Sequence, residues 1–173
     1  MNPSADWQPL LRGELIELRP LRADDYDGLY AVASDPLIWE QHPIKSRHEP
    51  AVFRQFFDEA IARRGALVVI DAASRRIIGS SRFHGHDPAR REVEIGWTFL
   101  ARAYWGGRYN REMKRLMIEH AFRFVDVVIF VVGVGNIRSQ RAMEKIGGVR
   151  RAGTRRESDG RESYEYEVRK PRC

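Results

Sequence analysis

The sequence predicts a mixed α/β domain with antiparallel hairpins and a central βαβ step. Three observations support this. Hydrophobic patterning switches between a period of two and one of about 3.6 in the order β α α β β β α β α β β. The segment from Val127 to Val134 is almost wholly apolar, as a strand covered on both faces should be. A glycine turn, Tyr104-Trp105-Gly106-Gly107-Arg108-Tyr109-Asn110, separates a strand-like run from a helix-like run. This order is not the strict alternation of a dinucleotide-binding sheet. GxGxxG is also absent, which disfavours a nicotinamide dehydrogenase.

Leu15 to Leu18 alternates as a strand and is stopped by Pro20. Asp24 to Ser34 reads as a helix with an acidic first turn, ended by Asp35-Pro36. Glu49 to Arg63 places Val52, Phe53, Phe56, Phe57, Ala60 and Ile61 at helical spacing, with Gly65 as its stop. Leu67 to Ile70 is a short β-branched strand; Asp71-Ala72-Ala73-Ser74 turns it, and Arg76 to His84 returns. Glu92 to Leu100 is the next strand. Alternation puts Val93, Ile95 and Trp97 on one face and Glu92, Glu94 and Gly96 on the other. After the glycine turn a helix runs from about Asn110 to Val125, with Asn110 suited to its N-cap and Met113, Leu116, Met117 and Ala121 as its buried stripe. The apolar strand is followed by a helix from Arg138 to Ile146, ended by Gly147-Gly148. Gly153 to Gly160 and Glu162 to Arg169 form a polar hairpin turned at Asp159-Gly160.

The 173 residues are expected to form a single domain, 1–173, with a substantial core. A net charge of +6 and a pI near 9.8 admit anionic ligands, from nucleotides and CoA-like molecules to nucleic acid. The basic residues are spread and no helix-turn-helix or RNA-binding signature appears, so no specific nucleic-acid partner is expected. Cys173 is the one cysteine, so no intramolecular disulfide forms, and it reads as an inert tail residue. Met1 to Gln8 lacks the pattern of a signal peptide, and the longest apolar stretch is too short to span a bilayer. A cytoplasmic protein without a membrane partner is the expectation. No metal is expected: His84 and His86 have no third ligand at matching spacing.

A glycine turn that opens a helix is an anion site, because free backbone N–H groups and the positive end of the helix dipole favour phosphate. Strand, phosphate turn, helix, strand and helix in that order fit a nucleotide-like cofactor. The second helix of this set, Asn136 to Gly147, begins with a residue able to cap it.

These residues resemble the GNAT superfamily of N-acetyltransferases. Glu94-Ile95-Gly96-Trp97, Tyr104 to Asn110 and Asn136 to Gly147 are similar to its RimJ/RimL-type branch, as are Leu18-Arg19-Pro20-Leu21 and Asp35-Pro36. The resemblance covers about Leu15 to Val168. It implies a twisted, mixed, mainly antiparallel sheet flanked by helices, whose fourth and fifth strands (here Glu92 to Leu100 and Val127 to Val134) splay apart around acetyl-CoA. It implies backbone bonds from the pantetheine arm around Trp97, Phe99 and Leu100. The pyrophosphate would lie on Trp105, Gly106, Gly107, Arg108, Tyr109 and Asn110, and Asn136 would contact the arm. The family's phosphate turn has the form Q/R-x-x-G-x-G/A. Here Trp105 takes the first position and Arg108 a glycine position, where its side chain either adds a charged contact or crowds the turn. Arg111 or Arg138 would reach the 3′-phosphate, or else they belong to a solvated helix face.

Acetyl transfer to an amine needs a base for the ammonium, stabilisation of the oxyanion and a proton donor for the leaving thiolate. By resemblance the attack is direct, with no acyl-enzyme. Glu94 is the first candidate base and Glu92 the second; His84 and His86 form the other candidate pair, since histidine is the side chain type suited to base work at neutral pH. Many superfamily members place a tyrosine on the last helix as acid. Met143 stands there, so Ser139 is the candidate donor to the thiolate, or else a second cap. Trp39, His42, Phe56 and His84 are the candidate acceptor-binding residues. The acceptor is either a protein N-terminal amine or a small amine, and relatives are often homodimers. The alternative reading is a non-catalytic acyl-CoA-binding sensor of the same fold.

Overall fold

The computed structural model describes residues 4–172, which leaves Cys173 outside the described residues. Nine strands form one twisted sheet: β1 (Leu11–Arg12), β2 (Ile16–Pro20), β3 (Ala66–Asp71), β4 (Ile77–Asp87), β5 (Glu92–Leu100), β6 (Val127–Gly133), β7 (Val149–Arg150), β8 (Arg155–Arg156) and β9 (Glu162–Arg169). The order is β1-β2-β3-β4-β5-β6-β9-β7, with β8 added to β9. Every pairing among the described residues is antiparallel except β5 with β6. Four helices flank the sheet: α1 (Tyr26–Ala33), α2 (Pro50–Arg63), α3 (Arg108–Ala121) and α4 (Ile137–Lys145). The predicted mixed α/β, mainly antiparallel architecture is therefore the observed one.

The sheet separates two cores. On one face Ile95, Met113, Met117, Val128, Phe130 and Met143 pack under α3 and α4. On the other, Trp39, Phe53, Phe56, Phe57 and Phe99 pack under α1 and α2. Helix α2 starts with Pro50, whose missing N–H is no loss at that position, and buries Phe53, Phe56, Phe57 and Ala60. Two charge-assisted contacts pin these elements in place. The Arg19 guanidinium forks onto both oxygens of Asp25 at 2.8 and 2.6 Å. The Glu112 carboxylate of α3 accepts from the backbone N–H groups of Glu14, Leu15 and Ile16, at 2.9, 2.7 and 3.0 Å, and so fixes α3 against β2.

Some local expectations are corrected. Strand β2 runs on through Pro20, and the two-residue strands β1 and β7 had no pattern long enough to read. The polar hairpin narrows to β8 on its first arm. Helix α3 starts at Arg108 with Gly107 at its N-cap, so Asn110 lies inside the first turn. The largest correction concerns β5. Val93 and Ile95 face the α3 core, yet Trp97 packs with the α2 core. A register shift against β4 and a φ of 52° at Trp97 mark a bulge, and a bulge turns the alternation over.

That bulge matters for the site. Parallel pairing of β5 and β6 covers only Glu92 with Val127, Val93 with Val128 and Glu94 with Ile129. Beyond Glu94 the two strands part, and β5 continues to Leu100 with β4 alone as its partner.

Candidate active site

The parting of β5 and β6 opens a cleft of about 460 Å³. Thr98, Phe99 and Leu100 of β5 line it, as do α4 and its lead-in from Asn136; Trp105, Gly106, Gly107, Trp39 and His42 also line it. Gly106 and Gly107 hold φ values of 106° and 113°, a region that L side chains avoid. A Cβ at either would meet nothing within 4 Å, so the backbone angle and not lack of space demands glycine. The Gly107 carbonyl accepts from Arg111 N–H at 2.9 Å, the first bond of α3. The N–H groups of Arg108, Tyr109 and Asn110 have no helical turn before them and are free to bind an anion.

The charge of the lining agrees with that. Arg111, Lys114, Arg138, Arg141 and Lys145 line the cleft, and among the described residues no carboxylate does. The Arg138 guanidinium lies 4.0 Å from the centre of the Trp105 ring and donates to Ile38 O at 3.1 Å. Trp105 in turn donates from Nε1 to Leu100 O at 2.9 Å, tying the glycine turn to β5. Arg108 lies outside the lining. The Tyr109 side chain leaves the cleft: its hydroxyl donates to Asp71 Oδ1 at 3.3 Å and its ring meets Tyr104 edge-on.

Lys114 of α3 is buried between the parted strands. Its Nζ donates to Thr98 Oγ1 at 2.9 Å and lies 4.9 Å from the centre of the Phe130 ring. Burial pushes its pKa down to about 7. The signal was available: Lys114 shares the face of α3 that buries Met113, Met117 and Ile118. On α4, the Asn136 side chain accepts from Ser139 N–H at 3.1 Å and caps the helix. Both residues line the cleft, as does Met143, which is buried and offers no proton.

Glu94, His84, Trp97, Trp39 and Phe56 lie on the α2 face. Glu94 is the last residue of β5 to pair with β6, and His84 is its partner on β4. Burial raises the Glu94 carboxyl to about 7, although Arg155, with Nη1 at 3.8 Å, pulls it down. Glu92 is held by Arg151 at 2.7 Å and Arg90 at 3.4 Å, which leaves it poorly placed to accept a proton. His84 packs edge-on against Trp97, and burial lowers its pKa. Trp97 is absent from the cleft lining. His86 packs on Trp7 instead. Trp39 is buried, donates to Ala33 O at 2.8 Å and packs on Phe99. Phe56 is buried beneath two guanidiniums, those of Arg47 and Arg82, neither of which any sequence pattern marked.

A model of the acetyltransferase (GNAT) domain matches residues 16–149. The chain belongs to the GNAT acetyltransferase family. GNAT enzymes use acetyl-CoA, and the free helix N-terminus, the cationic lining and the open edge of β5 all suit that molecule. Solved structures share the fold at low identity. A GCN5-related N-acetyltransferase from Brucella melitensis superposes with a TM-score of 0.82 at 22% identity, over 98% of this chain and 80% of that one. Spermidine N-acetyltransferase from Vibrio cholerae, in complex with CoA and spermine, gives 0.67 at 15% identity over 91% and 96%. A putative ribosomal-protein-serine acetyltransferase from Vibrio cholerae gives 0.73 at 14% identity over 98% and 100%. No curated protein matches the sequence. Among the described residues, no helix is long and apolar enough to cross a membrane.

Proposed function

We propose that this GNAT acetyltransferase, of the RimJ/RimL type, moves the acetyl group of acetyl-CoA directly onto a primary amine in the cytoplasm. The cleft between the parted strands, lined by cations and by a free helix N-terminus, is the observation that carries this reading. The pyrophosphate lies at the start of α3, and the unpaired edge of β5 at Phe99 and Leu100 serves the pantetheine arm. Asn136 holds the lead-in to α4. Ser139, in its first turn, donates to the departing thiolate.

Glu94 takes the proton from the ammonium, directly or through a water. Its pKa near 7 suits a general base. At neutral pH a useful fraction is ionised, and the conjugate acid is still strong enough to release the proton again. The amine then attacks the thioester carbon, the C–N bond forms, and the C–S bond breaks with the electron pair leaving on sulfur.

Calorimetric titration with acetyl-CoA, with CoA and ATP as comparisons, tests the cofactor half. Acetyl-CoA and CoA bind and ATP does not; equal binding of ATP would reduce the cleft to a general phosphate site. Release of free thiol with an amine panel tests the second half. Acetyl-CoA binding without thiol release from any amine would favour the sensor reading, for which Met143 in place of a proton donor is the supporting observation.

A further inference from the structure

The protein buries Arg82 on the sheet face that carries Glu94 and Arg47 on the same Phe56 ring, and among the described residues neither has an acidic partner. Arg82, in the middle of β4, is 2% exposed, and neither Nη1 nor Nη2 has a hydrogen-bond partner among the described residues. Its guanidinium carbon lies 4.9 Å from the centre of the Phe56 ring and 4.7 Å from that of Trp97. Arg47, from the short helical turn Lys45–His48, is 7% exposed and lies 4.6 Å from the centre of the same Phe56 ring. Neither forms an ion pair among the described residues. Aromatic rings attract a guanidinium but accept few hydrogen bonds, so the rings leave Nη1 and Nη2 of Arg82 unsatisfied.

His42 does not fill the gap. Its Nδ1 accepts from Ile44 N–H at 2.9 Å, and burial, with help from Arg47, pushes its pKa down to about 3. The ring is therefore neutral at pH 7 and its proton is on Nε2. Arg47 Nη1 stands 3.4 Å from that Nε2, donor against donor, and gains no bond there. The carboxylates nearby are engaged: Glu59 with Arg63 at 3.4 Å, and Glu94, Glu157 and Glu165 with Arg155 at 3.4 to 3.8 Å.

Elsewhere this chain matches its shielded arginines. Arg19 forks onto Asp25, and Arg151 meets Glu92 and Glu167 at 2.7 Å each. An unmatched buried cation opposes folding, so a pair of them points to a partner that arrives later. Planar forks of N–H donors fit a carboxylate.

The register sets how far that partner is from the base. Arg82 lies opposite Gly96 and His84 opposite Glu94, so Arg82 and Glu94 share one face of the sheet. Strand spacing and rise put their Cα atoms roughly 8 Å apart, which a small molecule with an amine at one end and an acid at the other can bridge. Resting on the reading of the site as an amine acetyltransferase, we propose that the acceptor is a small amine that also carries a carboxylate, with Arg82 and Arg47 holding the carboxylate and Glu94 facing the amine.

Matched sets test this: lysine, glutamate and β-alanine, each against its carboxamide and its decarboxylated amine. One readout is calorimetric binding to the CoA-saturated protein, and the other is thiol release with acetyl-CoA. At least one acid binds and turns over better than its amide by about a hundredfold or more. Arg82→Met and Arg47→Met each collapse that ratio towards one, Arg82→Lys lowers it less, and acetyl-CoA binding stays intact in all three. Arg82→Met also raises the melting temperature of the ligand-free protein, as removal of an unmatched buried charge should. Equal handling of acids and amides, or a preference that ignores both arginines, overturns the proposal. Absence of turnover with every amine defeats the acetyltransferase reading alone. Binding of the acids to the CoA complex then still decides the arginine pair, and no such binding overturns it.

Discussion

The two halves of the candidate site are built by different means. On the α3 side the cleft presents backbone: a glycine turn, an unsatisfied helix start and an open strand edge, with cations around them. On the α2 side it is side chains from separate elements that meet: Arg47 from a short helical turn, Phe56 from α2, Arg82 and His84 from β4, Glu94 and Trp97 from β5. Backbone recognition serves one fixed ligand and tolerates change in side chains. Side-chain recognition can be altered residue by residue. Each half also buries one group that titrates near neutrality, Lys114 on the first and Glu94 on the second, both displaced by loss of water.

Removing the base should show most strongly that the halves are separable. Glu94→Gln lowers turnover by about 10²–10⁴-fold, the range for loss of a general base, with the calorimetric affinity for acetyl-CoA close to that of the parent. In the parent kcat/KM climbs as pH rises through about 7, where Glu94 ionises; in the variant that limb is flat. Equal loss of turnover and acetyl-CoA affinity would show that the two halves act as one.

A more moderate loss is expected on the cofactor side. Gly107→Val puts a β-branched residue at a φ of 113° and costs about 1–3 kcal/mol of backbone strain. If that strain falls on the bound form of the turn, acetyl-CoA binding weakens by about tenfold, while turnover at saturating acetyl-CoA changes little. Unchanged affinity would mean that the turn does not shape the anion site.

The two titrating groups differ more subtly, through stability. Lys114 has its pKa pushed down to about 7 from 10.5, so its penalty on folding is full below about pH 7 and fades towards pH 10.5. Glu94 is raised to about 7 from 4.5, so its favourable contribution is full below about pH 4.5 and is lost as pH rises through 7. Lys114→Met therefore stabilises the protein at neutral pH, by roughly 1–2 kcal/mol, and removes the rise in stability between pH 7 and 10.5. Glu94→Gln removes the fall between pH 4.5 and 7. Urea melts of both variants across that range read both slopes, and a parent curve with neither slope would place both groups in water.

Local patterning was enough to read the fold and to mark the glycine turn. Periodicity located α2, α3, β3 and β6 to within a few residues, because a helix stripe or a strand run is written in neighbouring positions. The glycine pair announced a turn with unusual φ for the same reason. The acceptor half depended on contacts between segments far apart in the chain. The bulge at Trp97 follows from the pairing of β5 with β4, and it reverses the face that alternation assigns to that residue. Tyr109 turns to Asp71, and Glu92 to Arg151, because those partners are distant in sequence and near in space. No local pattern sets Arg47 and Arg82 apart from the other cations of a basic chain. Only packing against α2 removes them from water, and burial is what turns an ordinary cation into one that needs an anion.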